Sequence, residues 1–288
     1  MEQLFASLTD GLLLGFVYGL SAMGLTLIFG VMDVINLAHG PIIALGMFGV
    51  YLLSSGAAGI ALNPYLALLV VAAIGLLFGV FVYFIAVHRV LDASPLSSLL
   101  STFAVNMMII GIGTAVFTTS PRNLDFSMGA LQLGSATLLG TRMIAAVIAV
   151  LVAGALYIFL YRTQAGKSIR AVANNRAAAE LMGIPSTQIL ALTFGIGTML
   201  AMISGGLIST FFSFNILSGG TYELKSFVIV VMGGLGNPTG ALLGGLILGA
   251  LEGIVPTFMP VSWVPVIEFV LFVLILMYKP QGLLGGRD

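Results

Sequence analysis

Runs of about twenty apolar residues follow one another along nearly the whole chain, and no other feature limits its fold as tightly. Wound as a helix at about 1.5 Å per residue, such a run crosses a hydrocarbon core about 30 Å thick. Only 7% of the 288 residues are charged, against roughly 25% in soluble domains, so water cannot be the solvent on every side. A transmembrane barrel would alternate apolar and polar residues with period two, and that pattern is not seen. The expected fold class is all-α, a polytopic integral membrane protein embedded in a lipid bilayer. The chain has no cysteine, which excludes disulfides and thiolate metal sites. Its net charge of zero offers no surface to nucleic acid.

Eight membrane segments are expected, at about 9–31, 34–54, 66–87, 96–118, 143–161, 188–211, 225–255 and 264–278. The opening run has no basic flank and is too long for a signal-peptide core, so it reads as a retained first span. Asn63-Pro64 and Asp92-Ala93-Ser94-Pro95 mark turns, with Ser94 placed to cap a helix that begins at Pro95. The longest polar outer loop is 119–141.

Basic residues in short loops favour the cytoplasm. Arg162, Lys167, Arg170 and Arg176 therefore place 162–187 inside, which puts the N-terminus in the periplasm and Arg89 inside. Taken as one span, 225–255 would leave Lys279 and Arg287 outside. The run "KSFVIVVMGGLGNPTGALLGGLILGALEG" is broken by Gly233-Gly234-Leu235-Gly236-Asn237-Pro238, and its first arm of about 11 residues climbs only about 16 Å. It is read as a broken, re-entrant hairpin, which returns the C-terminus to the cytoplasm and leaves only Arg122, Arg142 and Lys225 outside. The other reading is one kinked span with an exterior tail. Small-residue spacings at Gly11/Gly15/Gly19, Gly75/Gly79 and Gly245/Gly249/Gly253 point to close helix packing.

The most polar stretch is 161–185, "YRTQAGKSIRAVANNRAAAELMGIP". Its Gly166-Lys167-Ser168 resembles the end of a phosphate-binding loop. That loop needs glycine where Tyr161 stands, and it follows a strand rather than a membrane span. A small helical unit fits better: a short helix over 168–173, Asn175 capping 176–182, Gly183 in the left-handed position and Pro185 preventing continuation. The alanines at 171, 173, 177, 178 and 179 give it a smooth face for another protein. The plainer alternative is an ordinary basic inner loop.

The segment "GKSIRAVANNRAAAELMGI" resembles the cytoplasmic coupling segment of ABC-importer permeases, the branched-chain amino-acid permease family in particular. "LTLIFGVMDVINLAHG" at 25–40 and "VMGGLGNPTGALLGGLILGALEG" at 231–253 are similar to that family's other two signature regions, in the same order. The resemblance implies one permease domain, 1–288, with 162–187 as its cytoplasmic coupling segment. It implies a bacterial inner-membrane subunit of an importer for leucine, isoleucine and valine. The implied partners are a second related permease, two cytosolic ABC ATPases and a periplasmic substrate-binding protein. This chain would carry no catalytic residue and no cofactor. The ATPase contact falls, by the matching motif, on Gly166, Arg170, Ala171, Ala178, Ala179 and Gly183.

Candidate translocation-path residues are polar groups beside helix breaks. In "MDVINLAHGP" these are Asn36 and His39; Asn106 lies within an apolar run; Gly236 and Asn237 lie in the break of 225–255. The first group could line a path or form a tight interfacial turn, and Asn106 could line a path or bond a neighbouring helix. His39 alone makes no metal site. Glu252 and Glu268 adjoin late apolar runs and, if deep, could relay protons. They would suit the alternative class, a secondary, ion-coupled transporter of a small neutral solute. A membrane enzyme would need a nucleophile–base pair or a metal cluster, and neither is apparent.

Overall fold

Asparagine or serine followed by proline starts three of the helices, because the side chain caps free N–H groups and proline needs no partner in the first turn. Asn63 Oδ1 accepts from Tyr65 N (3.0 Å), Ser94 Oγ from Ser97 N (3.3 Å), and Asn237 Oδ1 from both Thr239 N and Gly240 N (3.1 Å). The computed structural model describes residues 2–56, 59, 61–133 and 136–285. The helices are α1 Glu2–Met32, α2 His39–Ser54, α3 Pro64–Val82, α4 Pro95–Phe117 and α5 Gly140–Arg162. Then come α6 Gln164–Asn174, α7 Arg176–Leu181, α8 Ser186–Ile208, α9 Ser218–Gly233, α10 Pro238–Ile254 and α11 Val264–Tyr278. A π-helical turn, Tyr83–Val87, extends α3, and one antiparallel hairpin, β1 Ala130–Leu133 with β2 Ala136–Leu139, lies in the expected outer loop.

Seven helices among the described residues are long and apolar enough to cross a bilayer, and the protein is an all-α, multi-pass membrane protein. The helices α2 and α9 are shorter, at 16 residues each. Of the long helices, α1 and α8 are mostly buried, whereas α4 and α11 turn most of their surface outward. Outward residues such as Leu100, Met108, Val270 and Met277 are apolar, as a lipid-facing surface requires.

The expected break divides 225–255 into two rods that run in opposite directions. Gly233 packs on Gly240, and Gly244 on Ile229 four residues earlier in α9. A single kinked span would keep its direction, so the hairpin reading stands. The first arm begins at Ser218, seven residues before the expected start. Residues 218–224, which include Ser218, Thr221 and Glu223, extend the helix before the apolar run, with Gly219 seated on the Gly40 carbonyl. Apolarity therefore understates the length of this rod.

The return places the C-terminal tail beside the hairpin's turn. Leu283 N donates to Met232 O (2.9 Å) and Leu284 N to Gly233 O (3.3 Å). Loop 88–94 reaches α7 at this same end, through Asp92 and Arg176. Arg89, Arg162, Lys167, Arg170, Arg176 and Lys279 thus gather at the α6–α7 end of the bundle. Toward the other end lie Arg122, whose backbone pairs with Phe214, Arg142, which pairs with Asp10, and Lys225. Arg287 lies outside the described residues.

Glycine sets how closely the rods approach. Along α1, Gly11 faces Gly249 and Gly253, Gly15 faces Gly245, and Gly19 faces Leu242, so α10 runs antiparallel to α1. A β-carbon on Gly15 would lie 2.7 Å from the Gly245 carbonyl oxygen, and one on Gly249 would lie 2.5 Å from Gly15 Cα. Lipid gives helices no hydrophobic reason to associate, so backbone-to-backbone contact supplies the attraction here. Substituting Gly245→Leu is expected to destabilise the bundle by about 1–3 kcal/mol or more. Gly111, with no atom within 4 Å of its virtual β-carbon, should accept leucine without loss. Thermal unfolding of the two variants in detergent checks this; equal midpoints would remove the seam's role.

Candidate functional site

The polar stretch after α5 folds as a small, closely held module. Thr163 Oγ1 donates to Phe159 O (2.7 Å) and accepts from Gly166 N (3.0 Å), so one hydroxyl ends α5 and caps α6. Gly166 packs on the backbone at Phe159 and Leu160, where a side chain would collide. The α6 helix, longer than the expected 168–173, buries Ile169 and Val172. Asn175 Oδ1 accepts from Ala178 N (2.9 Å), the expected cap of α7. Gly183 closes α7 at φ +81°, with its N–H on Glu180 O (2.9 Å) and Ile184 N on Ala179 O (3.0 Å).

The six expected coupling residues divide into two kinds. Gly166 and Ala179 face inward, and half-buried Ala171 packs against the same core; Ala179 shares that small apolar core with Val87 and Leu190. Arg170, Ala178 and Gly183 face out. Two residues that sequence reasoning passed over stand out furthest: Leu181 is 89% exposed and Met182 is 82% exposed. Their signal in the sequence is an apolar pair set directly before a helix-ending glycine in an otherwise polar loop. Arg176 fixes the module to its neighbour, pairing with Asp92 (2.7 Å) and Glu180 (3.2 Å).

The second candidate region is the break between α1 and α2. An expected segment at 34–54 becomes a helix only at His39, and residues 33–38 are irregular, with Asp33 at φ +53°. Side chains of α4 hold this stretch. Thr102 Oγ1 donates to Ile35 O (3.1 Å) and accepts from Leu37 N (3.3 Å), while Asn106 Nδ2 donates to Leu37 O. Backbone groups that have left a helix in the bundle thereby keep partners. Asn106 supports the break, and Asn36 and His39 occupy its centre.

Both of those residues are fully buried. Asn36 Oδ1 accepts from Ala38 N (3.1 Å), and its Nδ2 has no partner. His39 Nε2 lies 3.2 Å from Ser21 Oγ, which in turn is 3.0 Å from Ser226 Oγ of α9; its Nδ1 has no partner. Beside them, Gly40 packs against Gly219 and Glu223. The site is a junction of α1, α2 and α9 backed by α4, a convergence of distant segments that spacing in the sequence does not reveal.

Gly236 and Asn237 lie elsewhere, at the turn between α9 and α10. Gly236 N donates to Thr26 Oγ1 (2.9 Å), and Asn237 caps α10. The two late acids also separate. Lys225 Nζ binds both oxygens of Glu252, at 2.7 and 2.8 Å, and sits 4.7 Å from the centre of the Tyr18 ring. Glu268 is buried, with Oε1 unpartnered. Among the described residues no cluster of three or more His, Asp or Glu is placed to hold a metal.

Comparison with known proteins bears on the whole chain. Residues 7–276 match the family described as branched-chain amino acid transport system / permease component. The high-affinity branched-chain amino acid transport system permease protein LivH of Salmonella typhimurium is 28% identical, over 100% of this chain and 96% of its own length. BraD of Pseudomonas aeruginosa, described in the same words, is 30% identical, over 98% of this chain and 95% of its own length. A more distant relative, the fructose import permease protein FruG of Bifidobacterium longum, is 25% identical over 88% of this chain and 76% of its own. No solved structure matches the chain significantly. A bundle of membrane-length helices, broken at 33–38 and 234–237 within two of the regions that carry the sequence resemblance, thus matches this family over nearly its full length: the chain belongs to the branched-chain amino acid transport permease family.

Proposed function

We propose that this chain is the membrane-spanning permease subunit of an ATP-driven importer of branched-chain, neutral aliphatic amino acids in a bacterial inner membrane. Hydrolysis belongs to two cytosolic ATPase subunits, and a second, related permease and a periplasmic binding protein complete the complex. The observation that carries this reading is the α6–α7 module, a rigid unit presenting Leu181 and Met182 to solvent at the basic end of the bundle. An exposed apolar pair on a polar loop is the anchor a partner protein buries. The N-terminus is then periplasmic and the tail cytoplasmic. The substrates named for LivH and BraD support the choice of amino acid.

Ala178, Leu181, Met182 and Gly183 form the docking face, and Gly166, Ala171 and Ala179 seat it on the body. Closing of the ATPases pushes this module. Its motion passes through Arg176–Asp92 to loop 88–94, where Ser98 Oγ donates to Val90 O (3.1 Å) and Ser101 Oγ to Ala86 O. From there α4 reaches the 33–38 break through Thr102 and Asn106. Nucleotide then shifts the population between inward- and outward-open forms by favouring one position of this linkage. At the break, the buried N-terminus of α2 offers a carboxylate the positive end of a helix dipole, with Asn36 and His39 beside it. Gly236 and Asn237 serve the inward half of the path.

The alternative, an ion-coupled carrier, needs a free acid in the membrane. Glu252 is held at both oxygens by Lys225 and so does not supply it; of the two acids named for this reading, only Glu268, buried with Oε1 unpartnered, remains to it.

Three tests follow from this reading. The chain has no cysteine, so Leu181→Cys provides a single label site. An impermeant maleimide should react in inside-out vesicles and not in right-side-out ones; the reverse pattern removes the assignment. Leu181→Glu with Met182→Glu should leave the fold intact, because both side chains are exposed, and should abolish stoichiometric recovery of ATPase subunits; undiminished recovery would refute docking here. Asn106→Leu strips the Leu37 carbonyl of its partner at about 1–3 kcal/mol, so substrate uptake should fall while the ATPases still co-purify. Full uptake by this variant would detach the α4 contact from transport.

A further inference from the structure

Two cavities meet at Leu160, Tyr161 and Pro238, and their linings differ in chemistry. One, of about 270 Å³, opens between α1, α5 and α10 and is walled by apolar groups such as Phe16, Met23, Ala153 and Leu242. The other, of about 180 Å³, lies at the α6–α7 end and is bordered by Gly30, Arg170, Asn174 and Gly236. Tyr161 stands between them. Its ring centre is 4.4 Å from that of Tyr157, and the Arg170 guanidinium carbon sits 4.6 Å from its own.

The charge here is unbalanced. Arg176 engages two carboxylates, whereas Arg162, Lys167 and Arg170 have no carboxylate within ion-pair distance among the described residues. On α6 the buried residues Gly166, Ile169 and Val172 alternate with the exposed Lys167, Arg170 and Asn174, and of these exposed residues Arg170 and Asn174 border the polar cavity. An apolar slot joined to one that carries a single unpaired cation, Arg170, with tyrosines along the wall, matches an amphiphile with an alkyl chain and an anionic head.

We infer that this paired cavity is a binding site for an anionic phospholipid, with one acyl chain between α5 and α10 and the phosphate on Arg170 and Asn174. The apolar slot offers a chain no more than the surrounding bilayer does, so selectivity comes from the headgroup charge. The planar guanidinium suits a phosphate, and the Tyr161 ring holds it in place from below. The inference rests on the transport reading only in taking α6 to lie at a membrane surface, and it assigns Arg170 to lipid and not to the ATPase.

Native mass spectrometry of the full-length protein purified in detergent, titrated with dioleoyl-phosphatidylglycerol, dioleoyl-phosphatidylcholine or inorganic phosphate, tests it. Retention of the phosphatidylglycerol adduct should exceed that of phosphatidylcholine by roughly five-fold, the difference one basic side chain makes near a membrane surface. Arg170→Gln, at an exposed position, should remove that preference. Gly154→Leu should displace both lipids, since Gly154 borders the apolar slot and has open space at its β-position. Equal retention of the two lipids, or a preference unchanged by Arg170→Gln, overturns the site. Inorganic phosphate bound as well as the lipid, and indifferent to Gly154→Leu, would make it a free-anion site and also overturn it. So would a disulfide formed between Gly154→Cys and a cysteine placed in the second permease, which would show a protein in the slot. ATPase recovery with the Leu181 and Met182 variants reports on the transport reading separately, because those residues touch neither cavity.

Discussion

A backbone amide that leaves its helix inside a bilayer finds no water, and this chain leaves a helix within the bundle at 33–38 and turns at 234–237 at its α6–α7 end. The remaining architecture is arranged around that demand. At 33–38 the partners come from α4, through Thr102 and Asn106. At 234–237 they come from Thr26 of α1, from Asn237 itself, and from the tail, whose Leu283 and Leu284 amides bond the last carbonyls of α9. Each break is therefore tied to an element far away in sequence. That is why the polar residues of the apolar runs are so few and so specifically placed.

Close approach of the rods is the complementary requirement. The glycines of α1 and α10 interlock, and α8 meets α1 at Gly24 and Gly197, α2 at Gly46 and Gly205, and α3 at Gly79 and Gly195. A side chain can bond a carbonyl in a neighbouring helix only when the axes are near. The glycine seams thus make the capping of the breaks possible, and the breaks give the seams a fixed register. The charge pairs follow the same economy: Lys225 with Glu252 and Arg142 with Asp10 join separate helices toward one end of the bundle, and Arg176 with Asp92 joins α7 to loop 88–94 at the other.

Much of the α6–α7 module was legible in the sequence. Asn175 as a cap and Gly183 as a left-handed stop depend on neighbours within a few residues, and both are found so. Exposure was less legible. Five alanines read as one smooth face, yet Ala179 is buried while Leu181 and Met182 project, because α7 packs Ala179 into an apolar cluster with Val87 and Leu190, residues distant in sequence. Asn106 carried the same ambiguity. An amide in an apolar run bonds something, and only packing decided that it bonds the Leu37 carbonyl.

The sequence by itself determined the solvent, the helical class, the cap-and-proline helix starts, the division of 225–255 and the gathering of basic residues at one end. Each of these follows from side-chain chemistry summed over a single turn or a single span. Tertiary structure alone decided that α2 starts at His39, that α9 reaches back to Ser218, and that Asn36, His39, Ser21 and Ser226 converge. Those outcomes depend on contacts between segments up to about two hundred residues apart, as in the Ser21–Ser226 pair. Helix propensity and hydropathy are local sums, and they carry no information about which distant backbone will offer a glycine or a hydroxyl in return.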